Sequence, residues 1–213
     1  MNKNVRFIIA INRELGSGGR TIGEKLAARL GVPFYDKALI KALQQKYNLT
    51  IEEIENLKGR THSWWADFKR VMGIGYSNNI SQYYNVSYTN EPDLLTSDDI
   101  YKAEQEILKG MAESESCVIA GRTAFYMFRK HPNHLNILIQ APMEYRIKRI
   151  MNKRGITAQE AEKIIDKVDK MRENYVNRYT GTNRYDTRNY DLVFSSAGKT
   201  EDQIVDLIME YIG

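Results

Sequence analysis

Hydrophobic residues along the chain form short continuous runs, separated by longer stretches in which they recur every three or four residues. The continuous runs predict extended, buried segments at Val5–Ile11, Pro33–Tyr35, Cys117–Ala120, Leu135–Gln140 and Asp191–Phe194. The helical spacing predicts helices over residues 20–30, 97–113, 143–153 and 158–177, and after Thr200. Strands that alternate with helices are typical of an α/β domain with a parallel sheet.

The helix predicted after Thr157 shows three features of local chemistry. Thr157 and Glu160 form a capping box, as do Thr200 and Gln203 before the last helix. Asp169 stands three residues before Arg172, so the two side chains are expected to pair and to orient one another. The lysines of this helix fall on the face away from its apolar stripe, where we expect them to be solvated; they are Lys163, Lys167 and Lys170.

Residues 60–96 interrupt the regular pattern. They are rich in Trp, Tyr, Asn and Ser and show no sustained periodicity. We interpret them as an irregular, aromatic-rich insertion into a single domain that spans residues 1–213. Its rings could stack on a base or serve as core and dimer contacts, and the sequence leaves both readings open.

Cysteine content and hydropathy set the expected compartment. Cys117 is the only cysteine, it lies in an apolar run, and the three histidines show no zinc-ligand spacing. An intrachain disulfide is therefore excluded, and we expect Cys117 to be inert. The chain has no apolar run of about 20 residues and no secretory pattern, so we expect a cytoplasmic protein without membrane association.

The net charge of +4 is unevenly distributed. Residues 1–121 are neutral overall, residues 122–188 carry +8, and residues 189–213 carry −4. A basic segment of this kind points to an anionic ligand. No nucleic-acid-binding signature accompanies it, so we expect a small molecule and no nucleic acid as partner; a homodimer is also considered.

A glycine-rich segment between the first strand and the first helix carries the most chemical information. Its residues are Gly16, Ser17, Gly18, Gly19, Arg20 and Thr21. Glycines at such a turn let backbone N–H groups converge, and with the helix N-terminus they form an anion site. Arg20 adds a cation, and Thr21 adds a hydroxyl for phosphate or Mg²⁺. A packing role for the glycines is the alternative.

The segment departs from the phosphate-binding pattern G-x-x-x-x-G-K-[ST]. Counting from the end of the strand without gaps places Arg13 at the first glycine and Gly19 at the lysine. Shifting the count by one residue places Arg20 at the lysine and Glu14 at the first glycine. The second count predicts that Arg20 replaces the lysine, although a guanidinium is larger and planar.

Several motifs in order resemble those of the cytidylate-kinase-like proteins, a branch of the P-loop nucleoside monophosphate kinases. They are INRELGSGGRTIGEKLA, YDKALI, CVIAGR, DKMRENY, YTG and YDLVFSS. The resemblance covers nearly the whole chain. It implies a three-layer α/β P-loop NTPase fold with about five parallel strands and a helical lid. It also implies ATP-dependent phosphoryl transfer to a nucleoside monophosphate, with CMP or dCMP as first choice.

The resemblance further assigns roles to individual residues. Asp36 and Arg122 would orient the acceptor, and residues 146–188 would form a basic lid over the phosphates. The expected catalytic cations are Arg20, Arg122, Arg149, Arg172 and Arg178. ATP phosphates would lie on Gly16–Thr21, with Mg²⁺ near Thr21.

Two departures keep other functions open. Thr123 follows Arg122 where cytidylate kinases have an aspartate, and residues 60–96 do not resemble their base-binding lobe. A P-loop kinase for a different small metabolite is therefore an alternative. A non-catalytic nucleotide-binding sensor is the other alternative, because the loop has lost its lysine.

Overall fold

The computed structural model describes residues 1–36 and 98–213. Two compact units are present: one joins Met1–Phe34 to Cys117–Gly213, and the other is Tyr35–Ser116. The predicted insertion at residues 60–96 lies outside the described residues. The strands are β1 (Ile8–Arg13), β2 (Phe34–Asp36), β3 (Cys117–Ala120), β4 (His134–Gln140) and β5 (Leu192–Ser195).

Six α-helices fall within the described residues. They are α1 (Gly19–Leu30), α2 (Asp98–Ser114), α3 (Ala124–Met127), α4 (Met143–Arg154), α5 (Ala158–Thr180) and α6 (Glu201–Ile212), with a 3-10 turn at Thr187–Asn189. Both predicted capping boxes are confirmed, since each threonine accepts from the backbone N–H of the third residue of its helix. Every helix predicted within these ranges forms, with ends that differ by up to three residues.

The five strands form one parallel sheet in the order β2-β3-β1-β4-β5, which confirms the predicted α/β class. β1 lies at the centre, with Ile8 opposite Cys117 on one side and His134 on the other. The strands run in the same direction, so their carboxyl ends lie along one edge. β1 reaches that edge at Arg13, and the glycine loop follows directly.

The main core lies between this sheet and two helices. α1 and α6 pack against one another, and their fully buried residues Ile22, Leu26 and Ile208 belong to one hydrophobic cluster with Ile9 and Ile137 of the sheet. The spacing of three or four residues explains why both helices bury one face. This packing fixes the position at which α1 begins.

A second, smaller core joins α4 and α5. Ile150, Ala161 and Ile165 are buried there, and Leu15 from the glycine loop packs against them. Leu15 therefore attaches the glycine loop to α4 and α5 by hydrophobic packing. Cys117 is fully buried in β3, as expected.

The ends of every strand except β3 differ from the sequence prediction: β1 extends to Arg13, β2 spans Phe34–Asp36, β4 begins at His134 and β5 begins at Leu192. β1 begins at Ile8 rather than Val5, because Val5 is 52% exposed and the pairing with β3 and β4 starts at Ile8. β5 ends at Ser195 rather than Phe194, because Ser195 pairs with Gln140. Of the described helices, none is long and apolar enough to cross a membrane.

Candidate functional site

The glycine loop connects the central strand to the N-terminus of α1. Gly16 has φ of +85° and Gly18 has φ of +79°, conformations that glycine adopts without strain. Gly18 is also the N-cap of α1, so the N-cap residue brings no side chain to the first amides of the helix. A helix N-terminus attracts anions through these N–H groups and its dipole. The loop can therefore bind a phosphate.

Ser17 stabilises the loop from within. Its side-chain hydroxyl donates to the Glu14 carbonyl at 2.9 Å, and its backbone N–H points to the same oxygen at 3.4 Å. Only 1% of Ser17 is exposed. The structure thus gives this hydroxyl a structural bond, whereas Thr21 lies partly exposed in the first turn of α1.

Asp169 holds the outer side of the loop. This buried carboxylate accepts from Arg146 Nη1 at 2.6 Å, from Arg172 Nη1 at 3.2 Å and from the Leu15 N–H at 3.0 Å. The predicted pair of Asp169 and Arg172 is thereby confirmed. One carboxylate consequently links α4, α5 and the loop backbone.

Two further groups complete this cluster. Glu14 lies 3.6 Å from Arg146 Nε and accepts from the Ala141 N–H at 3.0 Å. Arg184, which is fully buried, donates through Nη2 to the Arg13 carbonyl at 2.6 Å. Arg172 donates to the same carbonyl at 3.1 Å. Charge-assisted hydrogen bonds therefore fix the backbone at the point where β1 becomes the loop.

From the sequence alone, Glu14 has no predicted partner, Arg184 is only one member of the basic segment 146–188, and Asp169 is paired only with Arg172. A signal was present for Asp169, because it lies four residues after Ile165 and eight after Ala161, both of which are buried. An acidic residue on an apolar stripe must find a partner on burial. Nothing in the local sequence shows that Arg184 reaches β1.

Arg149 lies beside the loop. Its Nη2 donates to Glu201 at 2.5 Å, and its guanidinium lies 3.4 Å from the position that a Cβ on Gly18 would take. Burial alone would raise the pKa of Glu201, but hydrogen bonds from its own backbone N–H and from Arg149, together with the charge of Arg149, hold that pKa below its ordinary value. The carboxylate stays ionised and orients Arg149 at the start of α1.

Arg20 lies in the first turn of α1, and Arg178 lies in the last turn of α5. Arg20 pairs with Glu24 at 3.0 Å, one turn further along α1 and away from its N-terminus. Arg178 is exposed, with its guanidinium 5.4 Å from the centre of the Tyr179 ring. The catalytic roles assigned to these two arginines stay predictions.

Arg122 occupies a constrained turn after β3. Gly121, Arg122 and Thr123 have φ of +84°, +57° and +59°, and the two non-glycine residues are strained there. The guanidinium of Arg122 lies 5.5 Å from the centre of the Tyr175 ring, and the residue is buried. Strain at the carboxyl end of a central strand is a frequent mark of a ligand site.

Asp36 ends β2 and is 2% exposed. It belongs to the unit Tyr35–Ser116, whereas Arg122 belongs to the other unit. Their joint role in orienting an acceptor stays a prediction. Among residues 1–36 and 98–213, no group of three or more His, Cys, Asp or Glu side chains is placed to hold a metal ion.

Comparisons with known proteins agree with this geometry. Residues 8–197 match the model of the cytidylate kinase-like family. An uncharacterised protein from Eubacterium ventriosum is similar over 98% of both chains, with 26% identity and a TM-score of 0.70. Shikimate kinase from Bacteroides thetaiotaomicron shares the fold, with 14% identity, coverage of 97% and 98%, and a TM-score of 0.51.

One curated relative matches only locally. Uronate isomerase from Corynebacterium glutamicum is 31% identical over 99 residues, which is 46% of this chain. The matched part is 19% of that enzyme, so the chain corresponds to about a fifth of its length.

Proposed function

The chain belongs to the cytidylate kinase-like family, and from this premise we propose that it transfers the γ-phosphoryl group of ATP to a small acceptor, a nucleoside monophosphate with CMP or dCMP as first choice. The observation that carries the proposal is the loop at Gly16–Gly19, which presents the N-terminus of α1 at the carboxyl edge of a parallel sheet. In open α/β sheets, ligands bind at this edge.

The residues of the loop fit a polyphosphate. The left-handed glycines turn backbone amides toward one point, and Gly18 leaves the first turn of α1 without a capping side chain. Arg149 places a guanidinium beside Gly18. Several amides and a fixed cation are what phosphate oxygens require.

Phosphoryl transfer depends on positioning and on charge stabilisation more than on covalent chemistry by the protein. Arg122, held in its strained turn by neighbouring backbone, would orient the acceptor phosphate. Arg149 would neutralise negative charge near the loop. When bound, Mg²⁺ would supply further neutralisation of the phosphate oxygens, and Thr21 is the residue proposed to hold it.

An assay of ADP release identifies the phosphoryl acceptor. The wild-type protein and Mg-ATP are combined in turn with CMP, dCMP, UMP, AMP and GMP. We expect turnover with CMP or dCMP. We also expect Arg122→Ala to lower kcat/KM at least about a hundredfold, because a charged contact to the acceptor phosphate is lost.

Arg129→Ala is the matched control. Arg129 lies on the same connection but is exposed, and it contacts Tyr126. Its removal should change kcat/KM by less than about twofold. Far-UV circular dichroism and a thermal melt check that the buried Arg122 variant is folded. Equal activity of wild type and folded Arg122→Ala would refute the role of Arg122.

A nucleotide sensor is the second candidate function, and one observation favours it. Gly19 occupies the first position of α1, where the ungapped motif count expects the lysine. ATP binding by calorimetry without turnover on any acceptor would support the sensor. Turnover on a phosphorylated sugar or another metabolite, but on no nucleotide, would instead identify a kinase of different specificity.

A further inference from the structure

We propose that Arg13 supplies the cation that a P-loop ordinarily takes from lysine, and that Gly19 is glycine because Arg13 fills the space of that lysine. This inference rests on ATP binding as proposed above. A Cβ placed on Gly19 would lie 2.5 Å from Arg13 Cβ and 3.1 Å from Arg13 Cγ. Real Cβ contacts under 3.0 Å essentially never occur. The stem of Arg13 and a side chain at residue 19 therefore exclude one another.

Backbone conformation decides between the two possible motif counts. The second glycine of the motif is needed where a side chain would be strained. Gly18 has φ of +79°, whereas Gly19 is the first helical residue and carries no positive φ. Gly18 is therefore the second motif glycine. The ungapped motif count is therefore the one that fits the structure: Arg13 stands at the first glycine of the motif and Gly19 stands at its lysine.

The guanidinium of Arg13 extends along the edge of the sheet where the strands end. Its Nη1 stands where a Cβ on Gly121 would be, just beyond the end of β3. Arg13 itself is partly exposed. Its side chain thus passes Gly19 at its stem and Gly121 at its tip, both on the ligand-binding edge of the sheet.

The backbone of Arg13 is fixed by hydrogen bonds, so the direction in which its side chain leaves the strand is set. Arg172 and Arg184 both donate to its carbonyl, at 3.1 Å and 2.6 Å, and its N–H donates to Asn12 Oδ1 at 2.9 Å. From this fixed backbone the guanidinium of Arg13 can offer a planar pair of donors to phosphate oxygens.

Arg20, to which the shifted motif count gives the role of the lysine, forms an ion pair within α1. Its Nη2 lies 3.0 Å from Glu24, one helical turn toward the C-terminus of α1. The anion-binding end of the helix is at Gly18 and Gly19. The Arg20 guanidinium is thus engaged by Glu24, whereas the stem of Arg13 lies against Gly19.

Replacing Arg13 by glycine and Gly19 by lysine, singly and together, tests whether Arg13 supplies the phosphate-binding cation. Mg-ATP affinity is measured by calorimetry for wild type, Arg13→Gly, Gly19→Lys and the double variant. We expect Arg13→Gly to weaken binding at least about tenfold, because a charged hydrogen bond to phosphate is lost. The double variant restores both motif residues and the space between them, so it should recover to within about threefold of wild type.

Two arginine variants complete the binding experiment. Arg29→Gln removes an exposed cation from the last turn of α1, where it pairs with Asp206, and serves as the neutral control. Arg20→Gln tests the competing residue. A larger loss with Arg20→Gln than with Arg13→Gly would overturn the proposal, as would a double variant no better than Arg13→Gly alone.

The steric exclusion between the stem of Arg13 and a side chain at residue 19 is tested in the absence of nucleotide. Gly19→Ala should lower the Tm of the wild-type protein by several degrees, because its Cβ meets the Arg13 stem. In the Arg13→Gly background the same change should lower Tm clearly less, because of the three nearest atoms only the Ile139 Cβ, 3.1 Å from the added Cβ, remains. Equal shifts in both backgrounds would refute the exclusion. Lack of ATP binding by the wild type would overturn the proposed function and the cation role, and the Tm comparison would still report on the exclusion.

Discussion

Asp169 shows how one buried side chain can organise a loop that lies far from it in sequence. Its two oxygens accept from Arg146, Arg172 and the Leu15 N–H, and it is 8% exposed. A buried carboxylate is tolerated only when such partners compensate for lost hydration. The same bonds hold the loop against α4 and α5, so stability and site geometry depend on one residue.

We expect Asp169→Asn to lower the free energy of unfolding by about 3 kcal/mol, because the arginines lose their buried counter-charge. Urea denaturation followed by circular dichroism measures this change. Asp166→Asn, on the exposed face of the same helix, is the control and should differ from wild type by less than about 0.5 kcal/mol. Equal stability of the two variants would show that Asp169 does not anchor the loop.

At the level of secondary-structure elements, the connection between α5 and β5 is hydrogen-bonded to the end of β1. Arg184 is fully buried and bonds to Asn12 and Arg13 of β1. Tyr190 donates its hydroxyl to the Arg184 carbonyl at 2.6 Å and accepts from Asn12 Nδ2 at 2.5 Å. The connection thereby supports the strand that leads into the glycine loop.

The ionisation of Tyr190 allows the contribution of this hydrogen-bonded connection to be tested by pH. Burial, opposed by the bond from Asn12 and the charge of Arg184, raises the pKa of Tyr190 from 10.0 to about 12. The neutral phenol therefore stabilises the fold fully below pH 10, and this contribution is lost as pH rises from about 10 to about 12. We expect the unfolding free energy of wild type to fall by about 2–3 kcal/mol more than that of Tyr190→Phe across this interval.

Urea denaturation of both proteins between pH 9 and pH 12 measures the difference, and a spectrophotometric titration at 295 nm follows ionisation of the phenols. Tyr185 has a raised pKa as well, through burial, so the comparison must use Tyr190→Phe rather than wild type alone. Parallel loss of stability in the two proteins would contradict a buried, neutral Tyr190.

At the scale of the whole molecule, charge is distributed in a way that favours an anionic ligand at the loop. The segment 122–188, with a net charge of +8, contains α4 and α5, against which the loop packs. This net value already includes Asp169, which pairs with Arg146 and Arg172. The lysines at residues 163, 167 and 170 are exposed, which confirms their expected solvation.

We expect the affinity for Mg-ATP to fall several-fold as NaCl rises from about 50 to about 300 mM, because salt screens long-range attraction. The change Lys163→Gln combined with Lys167→Gln should alter affinity less than twofold at either salt concentration, since exposed charges act weakly. Calorimetry measures both effects. Affinity independent of salt would argue against electrostatic attraction by this segment.

The sequence by itself determined the elements and the class of fold. Apolar runs give the buried strands, spacing of three or four residues gives the helices, and the threonines at 157 and 200 mark two helix starts. These features depend on neighbours in the chain, so local reasoning captures them. The glycine loop was also found in this way, because its glycines stand between a strand and a helix.

Only the tertiary structure decided which cations lie at the loop and how it is held. The motif counts placed Arg13 only at the first glycine and gave the role of the lysine to Arg20. In the fold the stem of Arg13 lies against Gly19, and the guanidinium of Arg20 pairs with Glu24. Asp169 and Arg184 likewise reach the loop from more than 150 residues away. The local sequence indicates that Asp169 is buried, but it does not show which groups Asp169 and Arg184 meet, because those contacts arise from packing between distant elements.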